Sequence, residues 1–349
     1  MSDCVTGRSS RRGHHLRGYV VVAAVVALVA GPVPGAVARD VEREVLFTFE
    51  DRAITESSGL VDAGDRVHTV NDSGSAPELF TVDAGSGETV EVTTYADEVE
   101  DVEALAPAPG GDVWVGDIGD NLERRDEVWL HRVTPGSSEP APRFGLRYPG
   151  GPRDAETLLA HPRTGRIFVV SKTVFGGVVY AAPRRLVAGE VHRLTPFARV
   201  PGLLTDGAFL PGGEHVLLRG YGAATVLTFP AFEVVGSFPL PSQRQGEGLS
   251  VGRDGRVLIS SEGVGEDVLE VDLPRELLAA MAGTATAPDA SSSPRPTADP
   301  QGVPDVPSAR PERERIGASD APWGWWAAGA LGLGVLVVVL LLLVQRRRP

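Results

Sequence analysis

The chain has 349 residues, 42% of them hydrophobic, and its 33 basic and 46 acidic side chains leave a net charge of −13. That length allows one or two domains with a sizeable core, and the acidic balance excludes nucleic acid as a natural partner while attracting cations. The single cysteine, Cys4, falls in the N-terminal leader described next, so the mature protein is expected to use neither disulfides, cysteine catalysis nor cysteine-ligated zinc.

Residues 1–38 read as a secretory signal: Arg8, Arg11, Arg12 and Arg17 precede the apolar run "GYVVVAAVVALVAG", and Ala36, Val37 and Ala38 supply a small-residue cleavage site. An uncleaved N-terminal anchor is the alternative, although the run is shorter than the ~20 residues a span needs. Residues 39–280 form the expected ectodomain, which reads as monomeric. Residues 281–322 are rich in Pro, Ala, Ser and charge, the composition of a disordered stalk, with a reach of roughly 35 Å. Residues 323–345 have the length and apolarity of a transmembrane helix, with Trp323, Trp325 and Trp326 at one interface. Arg346, Arg347 and Arg348 then begin a short cytoplasmic tail, residues 346–349. The expected protein is anchored in the cell membrane by one C-terminal span, with its body outside the cytoplasm.

The ectodomain repeats itself. Segments beginning at Ser57 ("SSGLVDAGDRVHTVNDSG"), Val102 ("VEALAPAPGGDVWVGDIGDN"), Ala155 ("AETLLAHPRTGRIFVVSK"), Thr205 ("TDGAFLPGGEHVLLRGY") and Gly246 ("GEGLSVGRDGRVLISSEG") share one order. Each has an acidic or hydroxyl leader, a small residue, apolar residues, a turn and an alternating strand. The leaders Ser58, Glu103, Glu156, Asp206 and Glu247 stand 45, 53, 50 and 41 residues apart, and lie 9, 10, 11, 10 and 10 residues before the second strand. That period matches one four-stranded blade per repeat. The fold is therefore expected to be all-β, a five-bladed β-propeller in which the N-terminal strand at residues 45–49 completes the last blade. A six-bladed ring, with a degenerate blade hidden in residues 122–150 or 184–204, is the alternative. Helical periodicity is nearly absent; residues 274–281 offer one turn of helix.

Inner strands of a propeller start beside its axis, so the five leaders are expected in one ring around the channel. Small residues follow each of them (Gly59, Ala104, Thr157, Gly207 and Gly248), as crowding there requires. Four carboxylates and a hydroxyl facing one another need either raised pKa values or a bound cation. An oxygen-only ligand set without His or Cys suits Ca²⁺ rather than zinc, which makes Ser58, Glu103, Glu156, Asp206 and Glu247 the candidate metal ligands. The competing reading is a solvated channel whose carboxylates cap backbone N–H groups of neighbouring blades.

Turns after the second strands carry Asn71, Asp72, Asp117, Asp120, Asn121, Ser171, Lys172, Arg219, Ser261 and Glu262, and these are expected on one rim. Lys172 is the only lysine in the chain. With Arg219 it would put positive charge beside the acidic centre and favour an anionic small molecule or a cell-envelope component as ligand. Turn-forming chemistry accounts equally well for "NDSG" and "GDIGDN", and a solvated loop position accounts for Lys172.

The motifs "ESSGL", "NDSG", "VEDVEALA", "VGDIGDN", "DAETLLAHPRTGRIFVVSK", "TDGAFLP" and "QGEGL" resemble a family of actinobacterial secreted propellers of uncharacterised activity, over most of residues 55–262, with a looser similarity to phytase-like propellers. Their order is also similar to the five-bladed calcium-dependent apyrases, which hydrolyse nucleoside di- and triphosphates. That resemblance implies an axial calcium held by Ser58, Glu103, Glu156 and Glu247; Asp206 stands where a serine would be expected, and the apyrase nucleotide-binding motifs are not evident. Three functions stay open: a calcium-binding surface module that binds its ligand without chemistry; a metal-dependent phosphoester or phosphoanhydride hydrolase in which Glu103 or Asp117 activates water and Lys172 and Arg219 neutralise charge; and, last, a glycosidase, for which Tyr221 and Phe175 are the main aromatic platforms.

Overall fold

Successive side chains of a strand point to opposite faces, so an unbroken apolar run such as "IFVVS" at 167–171 has to be covered on both sides. Ile167 and Val169 join one hydrophobic cluster, and Phe168 and Val170 join the next. Val257 and Ile259 against Leu258 repeat the division. Sheets stacked face to face around a ring meet that requirement.

The computed structural model describes residues 42–285 apart from Ser73. The first blade is β2 (Ser57–Asp62), β3 (Arg66–Asn71), β4 (Glu78–Asp83) and β5 (Thr89–Thr94), preceded by a lone β1 (Arg43–Thr48). The second is β6 (Val102–Pro107), β7 (Val113–Asp117), β8 (Val128–Val133) and β9 (Arg143–Arg147). The third is β10 (Ala155–Ala160), β11 (Ile167–Ser171), β12 (Gly177–Ala181) and β14 (Thr195–Val200), and β13 (Val191–Arg193) crosses over to pair in parallel with β9. The fourth is β15 (Asp206–Phe209), β16 (His215–Arg219), β17 (Ala223–Thr228) and β18 (Val234–Pro239). The fifth is β19 (Gly246–Val251), β20 (Val257–Ser261), β21 (Asp267–Val271) and β1.

The five innermost strands, β2, β6, β10, β15 and β19, touch one another in a closed cycle, and one hydrophobic cluster fills each of the five gaps between blades. Their spacing is tight near the axis: a Cβ on Gly59 would lie 2.6 Å from the backbone nitrogen of Leu105 in the next blade. Five blades, not six, account for the described residues. The segments that were candidates for a hidden blade are used instead as β8 and β9 of the second blade, as the added strand β13, and as β14 of the third.

The ring closes as the orphan N-terminal strand requires. β1 pairs antiparallel with β21, with Val45 opposite Leu269 and Phe47 opposite Val268. No described blade thereby keeps an unpaired third strand as its edge. Phe47 and Phe49 meet edge to face at 5.5 Å and pack with Ile54, Leu60, Leu258 and Val268.

After β21 the chain enters a helix, α1 (Arg275–Ala285), longer than the single turn anticipated and extending past residue 280 into the start of the expected stalk. Burial explains the extension: Leu277 and Met281 dock on the cluster between the fourth and fifth blades, where Gly236 leaves room for Leu277. The expected signal, the rest of the stalk, the transmembrane segment and the tail lie outside the described residues; among those described, no helix is long and apolar enough to cross a membrane.

Because β1 is joined to the last blade chiefly by its ladder and by Phe47, Phe47→Ala is expected to cost about 3–5 kcal/mol. Chemical denaturation followed by tryptophan fluorescence measures this, and a loss below about 1 kcal/mol would remove the latch from the stability of the ring.

Candidate functional site

A local irregularity aims the leaders. In four blades the first ladder carries one extra residue on the inner strand: Ser57 faces Asn71 and Gly59 faces Val70, so Ser58 is the bulged residue. Glu103 occupies the same place between Val102 and Ala104, and Glu156 between Ala155 and Thr157. The shift between Gly246 and Leu249 sets Glu247 and Gly248 against the single residue Ser260. A bulge bends the strand and re-aims its side chain. All four side chains are buried, and they approach their neighbours in order around the ring: Ser58 Oγ lies 3.3 Å from Glu103 Oε2, Glu103 feels the charge of Glu156, and Glu156 that of Glu247.

The fourth blade lacks the bulge. Asp206 faces Arg219 directly and Gly207 faces Leu218, and Asp206 is fully buried within the sheet, its two oxygens accepting from Gly207 N and Leu249 N at 2.7 Å each. Its carboxylate is thus committed to backbone N–H groups, one of them in the next blade, as the solvated-channel reading had anticipated for such groups. Thr205 takes the Ser58-like position instead, its hydroxyl 3.3 Å from the carbonyl of Glu247.

Carboxylate oxygens of Asp72, Asp101 and Glu103 come within 4.8 Å of one another. Asp72 follows β3 and its N–H bonds the Glu56 carbonyl at 3.0 Å; Asp101 enters β6 two residues ahead of Glu103. A Cβ on Gly119 would lie 2.5 Å from Asp101 Oδ2 and 2.7 Å from Glu103 Oε1, so a larger residue there would push the two carboxylates aside. Three clustered carboxylates with a serine hydroxyl alongside form an oxygen-only donor set of high charge, the set that fits a hard cation such as Ca²⁺. Asp72, Asp101 and Glu103 are thus a cluster whose donor chemistry could hold a metal ion. Asp101 is not one of the five leaders, and its spacing of two from Glu103 is the sequence signal that relates the two.

Four of the ten expected rim residues turn out to brace loops. Asn71 Oδ1 accepts from Thr55 N and Glu56 N at 2.9 and 3.1 Å. Asp117 Oδ1 accepts from Asp101 N at 2.9 Å and pairs with Arg125 at 2.8 Å. Ser261 Oγ accepts from Gln245 N at 2.9 Å. In three blades, then, the residue that ends the second strand holds the segment entering the inner strand. Asp120 accepts from the N–H groups of Arg124 and Arg125 at 2.8 and 2.7 Å, and Asn121 is exposed beside it.

The two cations separate. Arg219 does not reach the rim: it is fully buried and donates to the carbonyls of Gly248 and Ser260 at 2.8 and 3.2 Å and to Gln243 at 3.2 Å. Lys172 stays at the channel mouth, ion-paired with Glu156 and 5.9 Å from the centre of the Tyr221 ring. Burial alone would lower its pKa, but Glu156, Tyr221 and Glu247 hold the ammonium above its ordinary value. On the opposite side acidity accumulates. Burial, then Glu247, Asp72 and Glu56, push Glu262 up to about 8; burial and Asp72 raise Glu56; burial, Glu156, Asp72 and Asp101 raise Glu103 despite Lys172.

No protein-family model and no curated protein matches the chain, so the resemblance carried by its motifs reduces to the β-propeller itself. Among solved structures it is similar to a gluconolactonase from Xanthomonas campestris, at 16% identity over 67% of this chain and 86% of that one, TM-score 0.44. It is also similar to the soluble aldose sugar dehydrogenase from Escherichia coli in its apo form, at 10% identity over 66% and 99% of the two chains, TM-score 0.42. A glucose dehydrogenase aligns at 12% identity over 67% and 100%, TM-score 0.41. These likenesses are distant, and what those proteins act on is a property of theirs.

The acidic mouth gives the metal-free protein a characteristic pH response. A carboxyl whose folded pKa is raised keeps its proton while the unfolded chain releases it, so folding stability falls as pH rises between the two values. For Glu262 that window runs from about 4.5 to about 8. His68, buried and lowered to about 4, acts in the other direction below its ordinary 6.5, which leaves pH 6.5 to 8 as the clean interval. Thermal melts of chelator-treated protein are expected to fall across it, and Glu262→Gln to flatten the slope; an unchanged slope in that variant would assign the effect elsewhere.

Proposed function

We propose that this protein is a membrane-tethered, extracytoplasmic β-propeller that binds calcium at its channel mouth and presents it to an oxygen-rich or anionic ligand. The convergence of Asp72, Asp101 and Glu103 carries this reading. Three carboxylates supply fewer oxygens than the six to eight that Ca²⁺ takes unless they bind through both atoms, so positions remain for water or a ligand. The Lys172 ammonium, across the channel on Glu156, still acts on the charge of Glu103 and favours a ligand with negative charge. The tether rests on the signal-like leader and the apolar segment at 323–345.

Apolar side chains on the same rim favour ligand capture. Phe175 is 94% exposed and Leu122 68%, both in loops that follow second strands, with Val174 and Val264 alongside. Side chains of this size left in water are unfavourable by about 1.5–3 kcal/mol relative to burial, and a bound partner would recover part of that. The hydrolase reading keeps Glu103 and Lys172 but loses two of its residues, since Asp117 is tied to Arg125 and Arg219 to backbone carbonyls. Binding without chemistry is therefore the function we favour.

Calorimetric titration of the full-length protein in mild detergent, stripped with chelator, tests it. Calcium is expected to bind near one equivalent, and Asp101→Asn with Glu103→Gln to weaken it at least tenfold, about 1.4 kcal/mol. Glu247→Gln, which removes a carboxylate outside the triad, is expected to have a smaller effect. Wild-type affinity in the Asp101/Glu103 double variant would sink the proposal.

A further inference from the structure

The far side of the channel holds a second group of acids that the calcium reading does not use. Glu156 and Glu247 both stem from bulges on inner strands, β10 and β19, and both are buried. Glu156 has an 8% exposed side chain; its Oε1 meets the Lys172 ammonium, but its Oε2 is buried with no hydrogen-bond partner. A buried carboxylate oxygen left unpaired is costly, and it marks a place where a donor or a cation is wanted. Glu247 accepts only a long contact from Gln245 Nε2, at 3.4 Å, and carries its charge toward both Lys172 and Glu156. The ring of Tyr221 closes the group from the rim, 5.9 Å from the Lys172 nitrogen and within reach of a cation–π interaction.

We infer that Glu156, Glu247 and Tyr221 form a second cation seat, suited to an ammonium group, and that Lys172 is its built-in occupant. Two carboxylates and an aromatic face are the chemistry that recognises a primary ammonium: charge from the acids, and a quadrupole that favours a cation over its face. Lys172 delivers that ammonium from the end of β11, four methylenes being long enough to bring it over Glu156. Its role is to decide how many metal ions the channel holds. With Lys172 seated, the Glu156 side is neutralised internally and only the Asp72, Asp101 and Glu103 side is left for calcium. Without it, the same side becomes a two-carboxylate site open to a second divalent ion or to a small organic amine. This inference rests on the channel being a cation site, although the ammonium seat stands on its own contacts.

Two probes test it on the full-length protein in detergent: calcium, and ethylammonium chloride with sodium chloride at equal ionic strength as the control. Lys172→Ala is expected to take up one more equivalent of calcium than the wild type. Ethylammonium is expected to raise its melting temperature by about 2–4 °C over sodium, an amount in the range of 1 kcal/mol for a domain of this size, while leaving the wild type unmoved. Lys172→Met, which keeps the apolar stem, serves as the second variant if the alanine protein does not fold, and Lys172→Arg is expected to keep the wild-type stoichiometry. Variants that bind no extra calcium and respond to ethylammonium no more than to sodium overturn the seat. Should neither wild type nor variant bind calcium, the metal reading of the channel fails, and the ethylammonium comparison still decides the ammonium seat.

Discussion

Like charge gathered around one axis is the constraint on which the rest of this propeller depends. Every blade starts its inner strand at the same rim, and in four of them a β-bulge turns the leading side chain toward its neighbours. At a separation of 4 Å two such charges repel by about 4 kcal/mol even at an effective dielectric of 20. Neutralisation is found by sector. Asp206 is folded back onto two backbone N–H groups; Glu156 takes the only lysine in the chain; Asp72, Asp101 and Glu103 are left facing one another. The asymmetry of a nearly symmetric ring is what leaves an acidic cluster on one side of it.

Supporting that arrangement is a set of side chains that bind nothing but the fold. Asn71, Asp117 and Ser261 end equivalent strands and each holds the backbone that leads into its own inner strand. Arg125 ties Asp117 to the carbonyl of Gly119, at 2.7 Å, and Gly119 in turn lies against the carboxylates of Asp101 and Glu103. Loops positioned in this way are less free to move when a ligand arrives, and a preorganised carboxylate cluster spends less of its interaction energy on ordering itself. In the polar turns "NDSG" and "GDIGDN", Asp72 joins the acidic cluster, while Asn71, Asp117 and Asp120 accept backbone N–H groups in the manner of turn residues.

The architecture was legible because repetition and alternation are properties of the chain itself. Leaders 41 to 53 residues apart, strands that alternate their apolar faces, and an orphan N-terminal strand were sufficient for five blades and a latched ring. The site was legible only in part. Glu103 and Glu156, and Glu156 and Glu247, lie near enough to feel each other's charge, whereas Asp206 is bonded to backbone N–H groups. The distance from Asp206 to its second strand is 10 residues, as in the second and fifth blades, so the missing bulge is balanced in the turn and leaves no trace in the spacing. Arg219 was assigned to the rim by the same counting. With no bulge between them, it pairs with Asp206 in the ladder and its side chain is sealed between the fourth and fifth blades.

By itself, then, the amino-acid order determined the period, the faces of each strand and the residue types that could gather at the axis, because hydrophobic alternation and turn chemistry act over a few neighbouring positions. Only the tertiary structure decided which acids meet. Asp72, Asp101 and Glu103 come from two blades, and the lysine that neutralises Glu156 lies at the end of a different strand. One inserted residue in a ladder re-aims a side chain from the sheet to the channel, and whether it is inserted depends on contacts between blades that are distant in the chain.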